Sequence, residues 1–363
     1  MKQPAGAFRT THTGSLPRPT ALADLGDPGQ VRAAVGDLVR RQLEAGIDIV
    51  NDGEASKPSY ATYVTERLTG FGAERPLRFN SRAEAEYPEF FASRLPRPVI
   101  TATPACEGPV AYTGTERVAA DIANLQAAAG DRPTFMTAAS PGVIELWMPN
   151  AFYPGTEEYV FAVADAMKTE YDAIHAAGVT IQLDCPDIPG VWNNNPDITL
   201  EEFRSQVAMR LAAIDHAIRD IPGEAVRLHI CWGNYQGPHN QDVPLDAFLD
   251  LVLAAKPRGI SFEAANPRHE HEWALFEDVK LPDGTVLLPG VIDSTSSFIE
   301  HPELVAQRLL RFAGAAGAEN VIASADCGFA TVAGSDLVDP KIAWAKLAAM
   351  SAGAAIATQR RPR

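Results

Sequence analysis

Four side chains in the second half of the sequence carry the donor atoms of a soft-metal site: His229 and Cys231 in "RLHICWGN", Glu263 in "SFEAANPR" and Cys327 in "SADCGF". His229 and Cys231 stand two apart at the end of an apolar, strand-like run, and alternation along a strand turns i and i+2 to the same face. Imidazole nitrogen, thiolate sulfur and carboxylate oxygen are the usual zinc donors, and four of them make a tetrahedral site. The gaps of 32 and 64 residues are too long for a local zinc-finger pattern. On residue types and spacing alone, a buried histidine with two core cysteines is the competing description.

To bring these residues together the chain needs a fold that gathers strand ends. Short β-branched or apolar runs alternate with helical stretches, the pattern of a parallel sheet with crossover helices. The runs are residues 8–15, 48–54, 134–140, 180–186, 226–233, 259–265, 286–293 and 320–328, and helix patterns cover 28–46, 156–178, 199–220, 244–256 and 303–317. Thr199 is placed as an N-cap, and Gly46, Gly178 and Gly317 as C-terminal stops. Eight strands predict an α/β fold, a single (β/α)8 TIM barrel over residues 1–363. Residues 71–132 break the repeat. There the runs 97–103 and 108–114 predict an inserted β-hairpin, about 95–116, after the second strand-helix unit and over the barrel mouth.

Active sites of such barrels gather at the C-terminal ends of the strands. Every predicted end carries a ligand or titratable group: His12, Glu54, Ser140, Asp184, His229 with Cys231, Glu263, Asp293 and Cys327. Polar residues also mark places where strands emerge into water, which explains any one of them singly but the whole set less well.

Composition narrows the class. The 363 residues carry 31 Lys+Arg against 46 Asp+Glu, a formal charge of -15, and the surface would repel nucleic acid. A hydrophobic share of 46% with 21% charged residues describes an ordinary folded protein. The opening "MKQPAGAFRT" lacks the apolar core of a signal peptide, and no apolar run of membrane-spanning length follows, so the expected location is cytoplasmic. Four cysteines over this length are no disulfide framework.

The stretches "THTGSLPRP", "NDGE", "QLDCP", "HICWGN", "SFEAANPR", "PGVIDSTS" and "SADCGF" resemble, in order and place, the catalytic barrel of cobalamin-independent methionine synthase, from about residue 8 to about residue 335. "HICWGNYQGPH" and "FEAANPRHEHEW" resemble its short single-barrel branch, which includes epoxyalkane:coenzyme M transferase-like proteins. The resemblance implies a zinc-dependent alkyl- or methyltransferase with His229, Cys231, Glu263 and Cys327 as ligands. The zinc would strip the proton from a small thiol and leave a nucleophilic sulfur. It also implies that Glu54 and Asp184 meet the ammonium of homocysteine, that Ser15 meets its carboxylate, and that the methyl donor is of the methyl-folate type. Trp147, with Trp192, Trp232 and Tyr235, would either form an apolar wall for a flat pterin or simply cover the barrel mouth.

Two departures leave choices open. The residue after Asp184 is Cys185, where methionine synthases carry an acid. Coenzyme M, the alternative thiol, would bring a sulfonate for Arg18, Lys57 or Arg268, with an epoxide as alkyl donor and His12, Tyr235 or His239 as the acid at the developing alkoxide. Asp293 and His12 are the expected catalytic residues, Asp293 as proton handler or as partner to the far nitrogen of His229. His269 and His271 form a second His-x-His pair that reads as a surface cluster, and Cys106 reads as structural. A metal-free barrel resembling uroporphyrinogen decarboxylase, or a non-catalytic zinc- or thiol-binding protein, are the alternatives from other classes.

Overall fold

The computed structural model describes residues 6–77, 79, 81–93 and 99–361. Among them, two strands, β1 (Phe71–Pro76) and β2 (Ala102–Cys106), pair antiparallel. The other six form one curled parallel sheet in chain order: β3 (Phe135–Ala139), β4 (Thr180–Asp184), β5 (Val226–Ile230), β6 (Gly259–Phe262), β7 (Val286–Ile292) and β8 (Ser324–Ala325). Helices cover the sheet, so nearly every residue of these six strands is buried, which is why they read as continuous apolar runs rather than alternating ones.

Four helices form where the patterns place them, Pro28–Glu44, Thr156–Ala176, Leu200–Ala217 and Pro302–Ala316, whereas 244–256 is divided between a 3-10 turn, Leu245–Ala247, and a short helix, Leu249–Ala254. Thr199 caps the third through a reciprocal box with Glu202, each satisfying a backbone N–H of the other's residue. Gly178 and Gly317 end two others with φ of 74° and 85°, the left-handed region open to glycine. A last helix, Pro340–Arg360, packs beside Pro302–Ala316. No helix among the described residues is long and apolar enough to cross a membrane.

Strand register sets the site. Asp184 lies opposite His229 on β4 and β5, and His229 lies opposite Ser261 on β5 and β6. One level below, Gln182 faces Arg227.

Two expectations differ from the structure. Residues 8–15 and 48–54 are not strands but single parallel bridges, Thr10 to Ala323 and Val50 to Thr134. They still connect the edges: Thr11 N–H donates to Ala323 O at 2.8 Å, Ile49 N–H to Thr10 O at 3.1 Å and Phe135 N–H to Val50 O at 3.0 Å. Ladder donors are diverted to side chains, Thr10 N–H to the Asp48 carboxylate and Asn51 N–H to the Gln42 amide oxygen. The inserted hairpin is also built differently. Residues 102–106 pair with 71–76, whereas 108–114 contribute a lone bridge, Tyr112 to Leu68. Residues 97 and 98 of the expected strand lie outside the described residues. The expected turn does not form because Cys106 N–H donates to Pro149 O, and Glu107 and Gly108 N–H both donate to Gly70 O. The partner actually used, "FGAERP", has little strand propensity and gave no signal.

Candidate metal and substrate site

His229 is the penultimate residue of β5, Cys231 comes directly after that strand, and Cys327 comes just after β8. Their donor atoms lie within 4.8 Å of one another, all buried. The two sulfurs are 3.5 Å apart. His229 Nδ1 faces Ser261 Oγ at 3.4 Å, while Nε2 is buried without a partner. Burial, helped by the Arg227 cation, pulls His229 down to about 3, so the imidazole is neutral and its free lone pair is available. Cys327 and burial hold the Cys231 thiol well above the ordinary range. Two thiols this close and this dry ionise when a cation neutralises them, and one nitrogen with two sulfurs suits zinc. The residues present therefore fit that metal.

Glu263, expected as the fourth donor, stands beside this group but not in it. Its Oε1 accepts from Trp232 N–H at 2.8 Å and its Oε2 from the Asn266 amide at 2.7 Å. Burial first, then Cys231, raises its pKa well above the usual range. Asp326, which sequence reasoning passed over, fixes the loop that carries it: Oδ1 takes Ala264 and Ala265 N–H, both at 2.8 Å, and Oδ2 takes Asn266 N–H at 2.9 Å. Its place next to Cys327 in "DCG" was the available signal.

A cavity of about 1190 Å³ opens over these three residues and is also lined by Ser15, Glu54, Asp184 and Trp147. Glu54 holds a left-handed φ of 58°, costly for a non-glycine residue, and leaves Oε2 buried and unpartnered. Gly14 lets the "HTGS" loop close on it, since a Cβ there would fall 2.5 Å from Thr137 Cγ2 and 2.8 Å from Glu54 Oε1. Burial raises the pKa of Glu54; for Asp184 burial and then the Glu54 charge push it well above the carboxylate range. Ser15 Oγ accepts from Ala330 N–H at 3.4 Å. Trp147 stands edge-on to Tyr60 and Phe79, with centroids 5.8 and 5.7 Å away, and makes an aromatic wall.

Other candidates lie elsewhere or are occupied. His12, expected to be catalytic, is packed behind the cavity: Nδ1 accepts from Gly14 N–H and Nε2 donates to Gln42 Oε1 at 2.8 Å, so neither nitrogen is free. Asp293 spends its carboxylate on Thr295 and Ser296 of its own loop and makes no bond to His229. Cys185 is buried and donates to Leu183 O, off the cavity. Cys106 donates to Gly108 O. His269 is no surface residue: it bridges Asp242 and Glu272, whose hydrogen bonds outweigh burial and lift it to about 10, whereas His271 is exposed. His239 is tied to Asp242 and to Tyr235 O. Trp192 and Trp232 donate their indole N–H groups to Gln241 O and Val243 O.

The cations expected for a sulfonate are spent on backbone carbonyls or hydroxyls: Arg18 on Glu54, Lys57 and Ala330, Lys57 on Thr137, Arg268 on Asp242. Coenzyme M and its epoxide partner are therefore set aside.

Similarity to known proteins follows the same lines. The chain is 26% identical over 369 residues to the methionine synthase of Thermococcus kodakarensis, covering 96% of this chain and 92% of that one. It is 23% identical to the methionine synthase of Saccharolobus solfataricus, covering 95% and 93%. The B12-independent methionine synthase of Shewanella sp. W3-18-1, solved with selenomethionine, shares the fold with a TM-score of 0.77 at 22% identity over 98% of both chains. Residues 154–351 match the family model described as the catalytic domain of cobalamin-independent synthase. On that match, which spans more than half of its length, the chain belongs to the cobalamin-independent synthase family, a family of methyltransferases.

Proposed function

We propose that the protein transfers a methyl group to the sulfur of homocysteine, giving methionine. One observation carries this: the cavity that exposes His229, Cys231 and Cys327 also exposes two buried carboxylates, Glu54 and Asp184, one with an unpartnered oxygen. A thiol reaching the sulfurs brings its amino group to these carboxylates, which accept charge-assisted hydrogen bonds from ammonium. Ser15 meets the carboxylate of the same amino acid. That the Shewanella relative is described with selenomethionine supports an amino-acid ligand of this kind.

His229, Cys231 and Cys327 would hold zinc, with Glu263 the nearest further donor. Bound there, zinc supplies the positive charge that keeps an incoming thiol deprotonated at neutral pH. Glu54 and Asp184 orient the acceptor, and Trp147 with Tyr60 and Phe79 excludes water and offers a flat face to a donor of the methyl-folate type. The new bond forms between the methyl carbon and sulfur, the donor's bond to that carbon breaks with its electron pair staying on the donor, and the proton that the thiol gives up to solvent is balanced by one that the departing donor atom takes from solvent. We take the fold as an eight-unit barrel whose first two members are reduced to bridges, forming one catalytic unit over residues 1–363, and we place the reaction in the cytoplasm.

The test is metal content followed by zinc-edge X-ray absorption with and without homocysteine. Stoichiometric zinc that gains one sulfur neighbour is the expected result. Zinc that gains none would make the site a closed binding site, and no zinc after reconstitution would leave only the fold.

A further inference from the structure

Arg227 is an expensive residue to bury. It is fully enclosed beneath the site, and its hydrogen-bond partners among the described residues are all neutral: Nη1 donates to Thr11 Oγ1 at 3.1 Å, Nη2 to His12 O at 2.8 Å and Nε to Gln182 Oε1 at 2.8 Å. Its guanidinium lies over the Phe135 ring, 3.5 Å from the centroid. A buried charge without a bonded counter-ion costs stability unless it acts on something nearby.

Gln182 shows what it acts on. An arginine only donates, so the Gln182 oxygen must face Arg227, and its NH2 must then face the opposite way. On that side stand Thr13 O and Asp184 Oδ1, the latter at 2.8 Å. Gln182 and Asp184 are i and i+2 on β4 and share a face, and Gln182 faces Arg227 in register. We propose that Arg227 and Gln182 are positioning residues that aim the Asp184 carboxylate at the amino group of the acceptor, so that the chain Arg227 to Gln182 to Asp184 selects amino-acid thiols over thiols without an amino group. Asp184 lines the cavity, so with one oxygen held from below the second is the one left for a ligand. Arg227 needs no contact with substrate to do this. The inference rests on the acceptor reading above.

The test uses the zinc-loaded protein and two ligands of equal length, L-homocysteine and 4-sulfanylbutanoate, which lacks the amino group. Calorimetric affinities are compared for the wild type, Gln182→Met and the milder Arg227→Lys, which keeps the charge but loses the fork. Gln182→Met is expected to weaken homocysteine binding about tenfold to a hundredfold while 4-sulfanylbutanoate stays within about twofold, with KM raised more than kcat is lowered. Arg227→Lys is expected to shift the ratio the same way by a smaller factor. Equal losses for both thiols would reduce the pair to structural support, and an unchanged ratio in both variants would overturn the proposal. A wild type that binds neither thiol would sink the acceptor reading itself, a different result from either.

Discussion

Two buried histidines, His12 and His229, look alike from most angles. Both follow or end segments of the central sheet, both are almost wholly enclosed, and burial pulls them down to about 4 and about 3. They differ in their partners. His12 Nδ1 takes Gly14 N–H and its Nε2–H goes to Gln42, whose own NH2 is held by Leu38 O and Asn51 O, so the tautomer and the ring are locked. His229 has a weak contact at Nδ1 and none at Nε2. Buried polar atoms are normally paired. An unpaired one beside two thiols therefore marks a place for a ligand, and a depressed pKa by itself does not.

The sharpest way to break this contrast is to remove each ring in turn. His229→Ala should lose stoichiometric zinc and roughly three orders of magnitude or more of methyl transfer. His12→Gln, which can still donate to Gln42, should keep its zinc and stay within about tenfold of the wild-type rate. Elemental analysis beside initial rates reads both, and zinc retained by the first variant or lost by the second would reverse the assignment.

Acid separates them next. A histidine held neutral binds its proton only in the unfolded chain, so stability falls as pH drops from the ordinary 6.5 towards about 4 for His12. Over that window the loss amounts to about 3 kcal/mol. His12→Gln should remove this acid-dependent part whether or not zinc is present, and denaturant melts at several pH values measure it. At His229 protons compete with the metal, so acid should release zinc there. A His12→Gln variant with the wild-type acid slope would show that other groups carry it.

The same accounting explains what could be read in advance. Six of the eight expected strands, the Thr199 cap and the glycine stops were legible because each depends on a local pattern: apolar runs, an N-cap residue, a left-handed turn. The pairing of "FGAERP" with 102–106 was not, since no local propensity marks it and the deciding bonds run to Pro149 and Gly70. Residue types and spacing offered His229, Cys231 and Cys327 as a candidate donor group but could not say that Glu263 turns its oxygens to Trp232 and Asn266. The occupied nitrogens of His12 were hidden for the same reason. Both Gln42, thirty residues on, and the Gly14 amide had to be placed before its nitrogens could be counted as occupied.

Carried over to the carboxylates, the contrast sets Glu54 against Asp326. Asp326 spends both oxygens on backbone N–H groups, while Glu54 Oε2 has no partner. Glu54→Gln and Asp184→Asn should each raise the KM for homocysteine about tenfold to a hundredfold with smaller changes in kcat. A pH series makes the test finer. Burial raises both pKa values, with the Asp52 charge adding to the rise at Glu54 and the Glu54 charge to that at Asp184, so protons occupy this pair above the usual carboxylate range, and an ammonium binds better once they leave. Homocysteine affinity should therefore rise with pH through that titration. In Glu54→Gln the charge that raises Asp184 is gone, so the rise should move to lower pH even as overall affinity falls. A profile that stays in place would mean that the two carboxylates do not share a ligand, and it would return Glu54 to the class of His12, a buried group whose partner lies within the fold.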